Sequence, residues 1–174
     1  MNTKAVKFGI ISDTHGFFHP GLREAFAGVD YIIHAGDIGY GDVLGPLGLI
    51  APVVAVRGNI DGEEYFDYPK MEHRNCGGVR VTVIHNAGDV VHPVADLKTR
   101  ILAEPTDLLV SGHYHGYWVK QIGMDYGKVL WLSPGAAGNA GHHTGRMALI
   151  LTVPPVGMAD AKLEKVHLGK RGEI

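Results

Sequence analysis

The sequence predicts an α/β fold of two packed β-sheets flanked by helices. Three observations predict it. Short β-branched runs bounded by Gly, Pro, Asn or Asp recur along the chain, as strands do. The early runs alternate with helix-like stretches, the pattern of βα units around a parallel sheet. A late hairpin pattern adds antiparallel strands, so the sheets are expected to be mixed.

The elements follow in chain order. "VKFGII" (6–11) is the first strand. "PGLREAFAG" (20–28) reads as a helix, because Pro20 is tolerated in a first turn and Gly28 stops it. "YIIHA" (31–35) and "PVVAV" (52–56) are strands, separated by "GDVLGPLGLI" (41–50), a weak helix broken by glycines and Pro46. "VRVTVIH" (79–85) alternates, so one face is expected to be wet. "HPVADLKTRILAE" (92–104) is the best helical pattern, with Val94, Leu97, Ile101 and Leu102 on one stripe. "DLLVSG" (107–112) and "RMALILTV" (146–153) are continuous runs, as in strands covered on both faces. "YWVKQIGMDYGKVLWLS" (117–133) reads as a hairpin around "GMDYG", with "KVLWLS" (128–133) as its second strand. "AKLEKVHL" (161–168) is a last strand, followed by a frayed "GKRGEI". No repeat or linker interrupts the 174 residues, so a single domain over 1–174 is expected.

Composition narrows the function classes. The formal net charge of -2 argues against a general grip on nucleic acid, which needs a basic face. The single cysteine, Cys76, excludes an intramolecular disulfide and a thiolate zinc site. It lies in the turn-like stretch "HRNCGG" and reads as an incidental thiol. The opening "MNTKAVKFGII" has too short an apolar run for a signal peptide, and no stretch reaches transmembrane length. A cytoplasmic protein with no membrane partner is expected.

Polar residues recur just past the carboxyl ends of the predicted strands. Asp13 and His15 follow the first, Asp37 the second, and Asn59 and Asp61 the third. His85 ends the "VRVTV" run, and His113 and His115 follow "DLLV". In an open α/β sheet ligands bind outside these strand ends. Carboxylate, amide and imidazole donors suit Mn, Fe, Co, Ni or Zn. Seven of these, leaving Asp61 aside, exceed one ion's needs and suit two ions that share a carboxylate. Two ions roughly 3.5–4 Å apart can hold both oxygens of a phosphoryl transfer. Gly16, Gly36, Gly58 and Gly112 beside the ligands let the backbone turn sharply. Each fragment also has a bland reading: Asp37 as a helix cap, "GNID" as a plain turn, His85 as a hydrogen-bonded histidine. The ordered set at successive strand ends favours the metal reading.

The blocks "SDTHG", "HAGDIG", "VRGNID", "VIHNAG", "SGHYHG" and "LSPGA" span residues 12–136. In order and spacing they resemble the calcineurin-like metallophosphoesterase superfamily. The short chain resembles its small YfcE-like phosphodiesterase branch. The resemblance implies a four-layer α/β/β/α sandwich, with Asp13, His15 and His115 on a first metal, and Asn59, His85 and His113 on a second. It makes Asp37 the bridge and a hydroxide between the ions the nucleophile. Asp37, Asn59 and His85 are the catalytic residues so implied, with Asn59 also touching substrate. Two divalent ions are expected, Mn first, with Fe, Ni, Co and Zn as alternatives. The substrate implied is a small phosphoester, and a homo-oligomer is left open.

Two departures qualify the resemblance. Many superfamily phosphatases carry His after the "GN" pair, where it donates a proton to the leaving group; here Ile60 cannot. The missing acid, typically worth about 10²–10⁴-fold, predicts a preference for diesters or good leaving groups. Asn86 stands where small relatives have Gly, a position expected to be left-handed. In "GNAGHHTGR" (138–146), His142, His143 or Arg146 are candidates to grip phosphate or replace the acid, against the reading of a surface loop. Asp61 is expected to orient the "GN" turn. His34 is expected to be structural, and His19, His73, His92 and His167 solvated. Trp118, Trp131, Tyr114 and Tyr117 read as core or interface aromatics. The competing reading is a protein-binding scaffold of the same fold, like the retromer subunit. A nuclease is the third reading.

Overall fold

The computed structural model of the chain describes residues 4–89 and 91–173. The elements are β1 (Val6–Ile11), α1 (Leu22–Ala25), β2 (Tyr31–His34), α2 (Leu44–Gly48), β3 (Val53–Ala55), β4 (Met71–Cys76), β5 (Val79–Ile84), β6 (Leu108–Val110), β7 (Tyr117–Met124), β8 (Gly127–Pro134), β9 (Gly145–Val153) and β10 (Lys162–Lys170). Two mixed five-stranded sheets result, ordered β10-β9-β1-β2-β3 and β4-β5-β6-β8-β7. In the first, β1, β2 and β3 run parallel; in the second, β5, β6 and β8 do. Two sets of carboxyl-terminal strand ends are therefore available for one site.

Period-two alternation builds the layers. Phe8, Ile10, Ile33 and Val54 of the first sheet meet Val81, Val83, Leu108, Val110 and Leu132 of the second. The outer face of the first sheet, with Ile11, Ile32 and Ile150, packs on Leu22 and Phe26 near α1 and Leu47 of α2. Gly9 makes room there, since a Cβ would lie 2.8 Å from the Phe26 ring. The outer face of the second sheet, with Leu109, Val129 and Trp131, packs on Leu97, Ile101 and Leu102. Each side chain so removed from water contributes about 1.5–3 kcal/mol. The order helix, sheet, sheet, helix is the expected one.

The helices are shorter than the sequence pattern suggests. Residues 20–28 yield only one turn, Leu22–Ala25. Of 92–104, only Leu97–Ile101 is helical, as a π-turn. The Asp89 carboxylate accepts the N–H groups of Val91 and His92 ahead of that π-turn. The stripe still buries Leu97, Ile101 and Leu102. Strand β4 escapes the hydrophobic pattern because it is a sheet edge, half-exposed along most of its length. Cys76 ends that strand instead of lying in a turn, and burial raises its thiol pKa to about 11. Such a thiol is inert at neutral pH. The hairpin pairs Met124 with Gly127 across a two-residue turn. Among the described residues no helix is long and apolar enough to cross a membrane.

Candidate metal centre

Asp13, His15, Asp37 and Asn59 follow β1, β2 and β3 of the first sheet; His85, His113 and His115 follow β5 and β6 of the second. Backbone bonds tie the loops within each rim, and the Asp13 carboxylate ties one rim to the other. Asp13 donates its N–H to Gly36, His15 to Asp37, and Gly112 to His85 (2.9–3.0 Å). The His113 N–H reaches both oxygens of Asp13 at 3.2 Å.

Five described non-glycine residues have positive φ: Asp13 (54°), His15 (48°), Asp37 (52°), His113 (75°) and His115 (55°). All five belong to the expected ligand set. A left-handed L-residue costs on the order of 1 kcal/mol or more, so this strain needs a reason other than folding. It turns each side chain back toward the strand ends. Gly16 (80°) and Gly36 (85°) share the conformation. Gly58 and Gly112 do not; they are needed for space, since a Cβ would fall 2.0 Å from Asp37 Oδ1 and 1.9 Å from Ser12 Oγ. Asn86 is likewise not left-handed; Gly88 is (79°), and Asn86 Oδ1 accepts its N–H in a turn. The expectation for Asn86 was misplaced by two residues.

Side-chain orientation follows from where each proton goes. His85 Nδ1 donates to the Ala35 carbonyl at 2.7 Å, so its Nε2 presents a lone pair. That nitrogen faces Asn59 Oδ1 at 3.0 Å and Asp37 Oδ1 at 3.1 Å, and His113 Nδ1 lies 2.9 Å from the same Asn59 oxygen. On the other side, His143 Nε2 donates to the Gly138 carbonyl (3.0 Å). His143 Nδ1 then accepts from His115 Nδ1 (3.3 Å). His115 Nε2 is left facing Asp13 Oδ1 and His15 Nε2, each at 3.3 Å. Asp37 spans the two sets: Oδ1 lies toward His85, and Oδ2 lies 4.0 Å from His15 Nε2.

Lone pairs aimed at one another within 3.3 Å repel unless a proton or a cation sits between them. The local pKa shifts differ from group to group, with positive charge favoured at His85 and His115 and disfavoured at His113. Burial pushes His85 down, but the Asp37 carboxylate outweighs it and the net shift is upward. The hydrogen bond to Asp13 raises His115. Burial would raise Asp37, yet His85 holds it below its ordinary value. Burial and the neighbouring His85 lower His113. Two overlapping groups, Asp13/His15/His115 and Asp13/Asp37/His85, have ligand atoms within 4.8 Å of one another. Nitrogen and oxygen donors in this arrangement fit borderline divalent ions.

The remaining candidates separate. Asp61 is buried and accepts from Gly39 N at 2.8 Å and Gly58 N at 2.7 Å, tying the loop after β2 to the "GN" turn. Arg146 is 1% exposed and cannot meet substrate. Its guanidinium bonds the Leu168 and Glu173 carbonyls and Asn139, under the Phe17 ring. His143 lies behind His115 as its hydrogen-bond acceptor, a contact that the sequence does not reveal, and not as a phosphate grip. His142 is exposed and lines none of the cleft described below. His34 is fully buried and held neutral, its pKa lowered to about 4 by burial. It accepts from Gly36 N and pairs with Thr14 Oγ1. His73 is half-buried and bonded to Thr82, not solvated. Ile60 is 42% exposed beside the site and brings no proton.

A cleft of about 930 Å³ opens on the Asn59/His85/His113 side, with Arg57, Phe66, Lys70 and Ile84 in its walls. Sequence reasoning missed Arg57, Phe66 and Lys70; two lie well after the third strand, in a stretch without pattern.

A family model described as the calcineurin-like phosphoesterase superfamily domain matches residues 6–154. A probable metallophosphoesterase of Methanocaldococcus jannaschii is 39% identical over 136 residues, 74% of this chain and 66% of that protein. One of Methanothermobacter thermautotrophicus is 33% identical over 122 residues, 66% of this chain and 69% of that protein. Vacuolar protein sorting 29 from Cryptosporidium parvum superposes with a TM-score of 0.69 at 17% identity, covering 96% of this chain and 100% of that one. An uncharacterised protein of Streptococcus pneumoniae, described as a predicted phosphoesterase, gives 0.64 at 19% identity, covering 93% and 98%. At these identities the two structures establish the fold alone.

Proposed function

Because the chain belongs to the calcineurin-like phosphoesterase superfamily, we propose that it is a metal-dependent phosphoesterase acting on phosphodiesters through two divalent ions. One observation carries the reading: seven nitrogen and oxygen donors from five strand ends converge, with the two Asp37 oxygens turned to opposite groups. Asp13, His15 and His115 would hold one ion, Asn59, His85 and His113 the other, and Asp37 both. When bound, such ions lower the pKa of water and neutralise phosphoryl oxygens. The chain's own part is orientation. Ala35 fixes His85, His143 fixes His115, and Asp61 fixes the "GN" turn.

Ile60 supplies no proton to a departing oxygen, so good leaving groups are favoured. The test is hydrolysis of bis(p-nitrophenyl) phosphate by metal-stripped protein refilled separately with Mn, Fe, Co, Ni or Zn, beside Asp37→Ala. At least one ion, Mn first, is expected to restore turnover well above that variant, and the diester to be cleaved faster than an alkyl monoester. If no ion exceeds Asp37→Ala, the catalytic reading fails and a protein-binding scaffold takes its place. Equal or faster turnover of the alkyl monoester would overturn the diester preference.

A further inference from the structure

We propose that the cleft beside the metal centre is a subsite for a second, terminal phosphate on the organic group of the diester; this rests on the catalytic reading above. Arg57 leaves β3 immediately before the "GN" turn, two residues from Asn59. Its backbone N–H donates to Pro69 at 3.0 Å, which brings the residue before Lys70 against Arg57. Both cations line the cleft.

Neither has a carboxylate partner among the described residues. Elsewhere Arg74, Arg80 and Arg100 each pair with an acid. The carboxylate that shares the cleft, Asp61, is buried and already accepts two backbone N–H groups. The Arg57 guanidinium instead lies 4.9 Å from the centre of the Phe66 ring, a cation–π contact that holds its fork in place. Its Nε is buried without a hydrogen-bond partner, so the fork reaches the cleft through its terminal nitrogens.

Two cations on one cleft, one a planar fork held by the Phe66 ring, suit a terminal phosphate better than a carboxylate. Such a phosphate carries close to two charges at neutral pH and three acceptor oxygens. The scissile diester has only one charge and is met by the metal centre, so these cations serve a different group.

The experiment compares thymidine 5′-(p-nitrophenyl phosphate) with its 3′-phosphorylated counterpart, both releasing p-nitrophenol, in metal-loaded protein. The 3′-phosphate is expected to raise kcat/KM at least about tenfold, as charge-assisted hydrogen bonds allow. This advantage is expected to shrink toward one in Arg57→Gln and Lys70→Gln, and to survive in part in Arg57→Lys. If both esters are cleaved but the 3′-phosphate brings no advantage, or its advantage persists in both Gln variants, the subsite assignment is wrong. If neither these esters nor bis(p-nitrophenyl) phosphate is cleaved with any ion, the underlying catalytic reading fails instead.

Discussion

His143 stands one hydrogen bond behind His115, in the proposed metal centre. It accepts from His115 Nδ1 and is itself fixed by the Gly138 carbonyl. Such partners hold the tautomer and ring of a ligand, and their loss typically costs about 10–100-fold in metal affinity. His143→Ala is therefore expected to weaken binding of the ion at His115 by roughly that factor, read by competitive chelator titration. His143→Gln should recover part of it, because an amide can both accept from His115 and donate to Gly138. Unchanged affinity in the Ala variant would remove His143 from the site. The seven donors were legible because each follows a β-branched run. His143 was legible only as a candidate of unspecified role. Its partner lies 28 residues away in sequence, and the contact depends on Gly141, where a Cβ would fall 2.0 Å from His115 Nδ1. Arg146 was misread for the same reason, since a cation near a glycine-rich stretch shows no sign of being buried.

At the scale of elements, strand ends and the turns behind them set the geometry. The turn after β3 passes so close to Asp37 that Gly58 has no room for a side chain. Gly58→Ala is expected to displace the Asp37 carboxylate and abolish tight metal binding while the sheets persist. Gly48→Ala, where a Cβ meets nothing within 4 Å, should leave metal binding intact. Metal content after dialysis, with circular dichroism for the fold, reads both; a Gly58→Ala protein that retains its ions would contradict this account of the turn. Strands were read well because alternation and β-branching mark a buried sheet directly. β4 was missed since its residues face solvent at an edge, where no hydrophobic pattern is required. The 92–104 helix was overestimated because its apolar stripe reports burial against the second sheet, which a single π-turn achieves as well as a full helix.

On the scale of the molecule, two sheets with strands running to one rim bring together residues as far apart as Asp13 and His115. The order of the motifs made this convergence legible, and the family match agrees with it. The cleft was not legible, because it needs the Arg57–Pro69 hydrogen bond and the Phe66 ring, neither of which leaves a periodic trace. Strain at five left-handed residues of the proposed ligand set is the structural cost that the site would impose on the fold. The account rests on the claim that this strained rim holds a pair of cations shared by Asp37. Its most direct measurement is the number of ions per chain, by elemental analysis of protein stripped and then reloaded with Mn. Two per chain are predicted, with clear loss in Asp37→Asn. One or none in the wild-type protein, or an undiminished pair in Asp37→Asn, would contradict it.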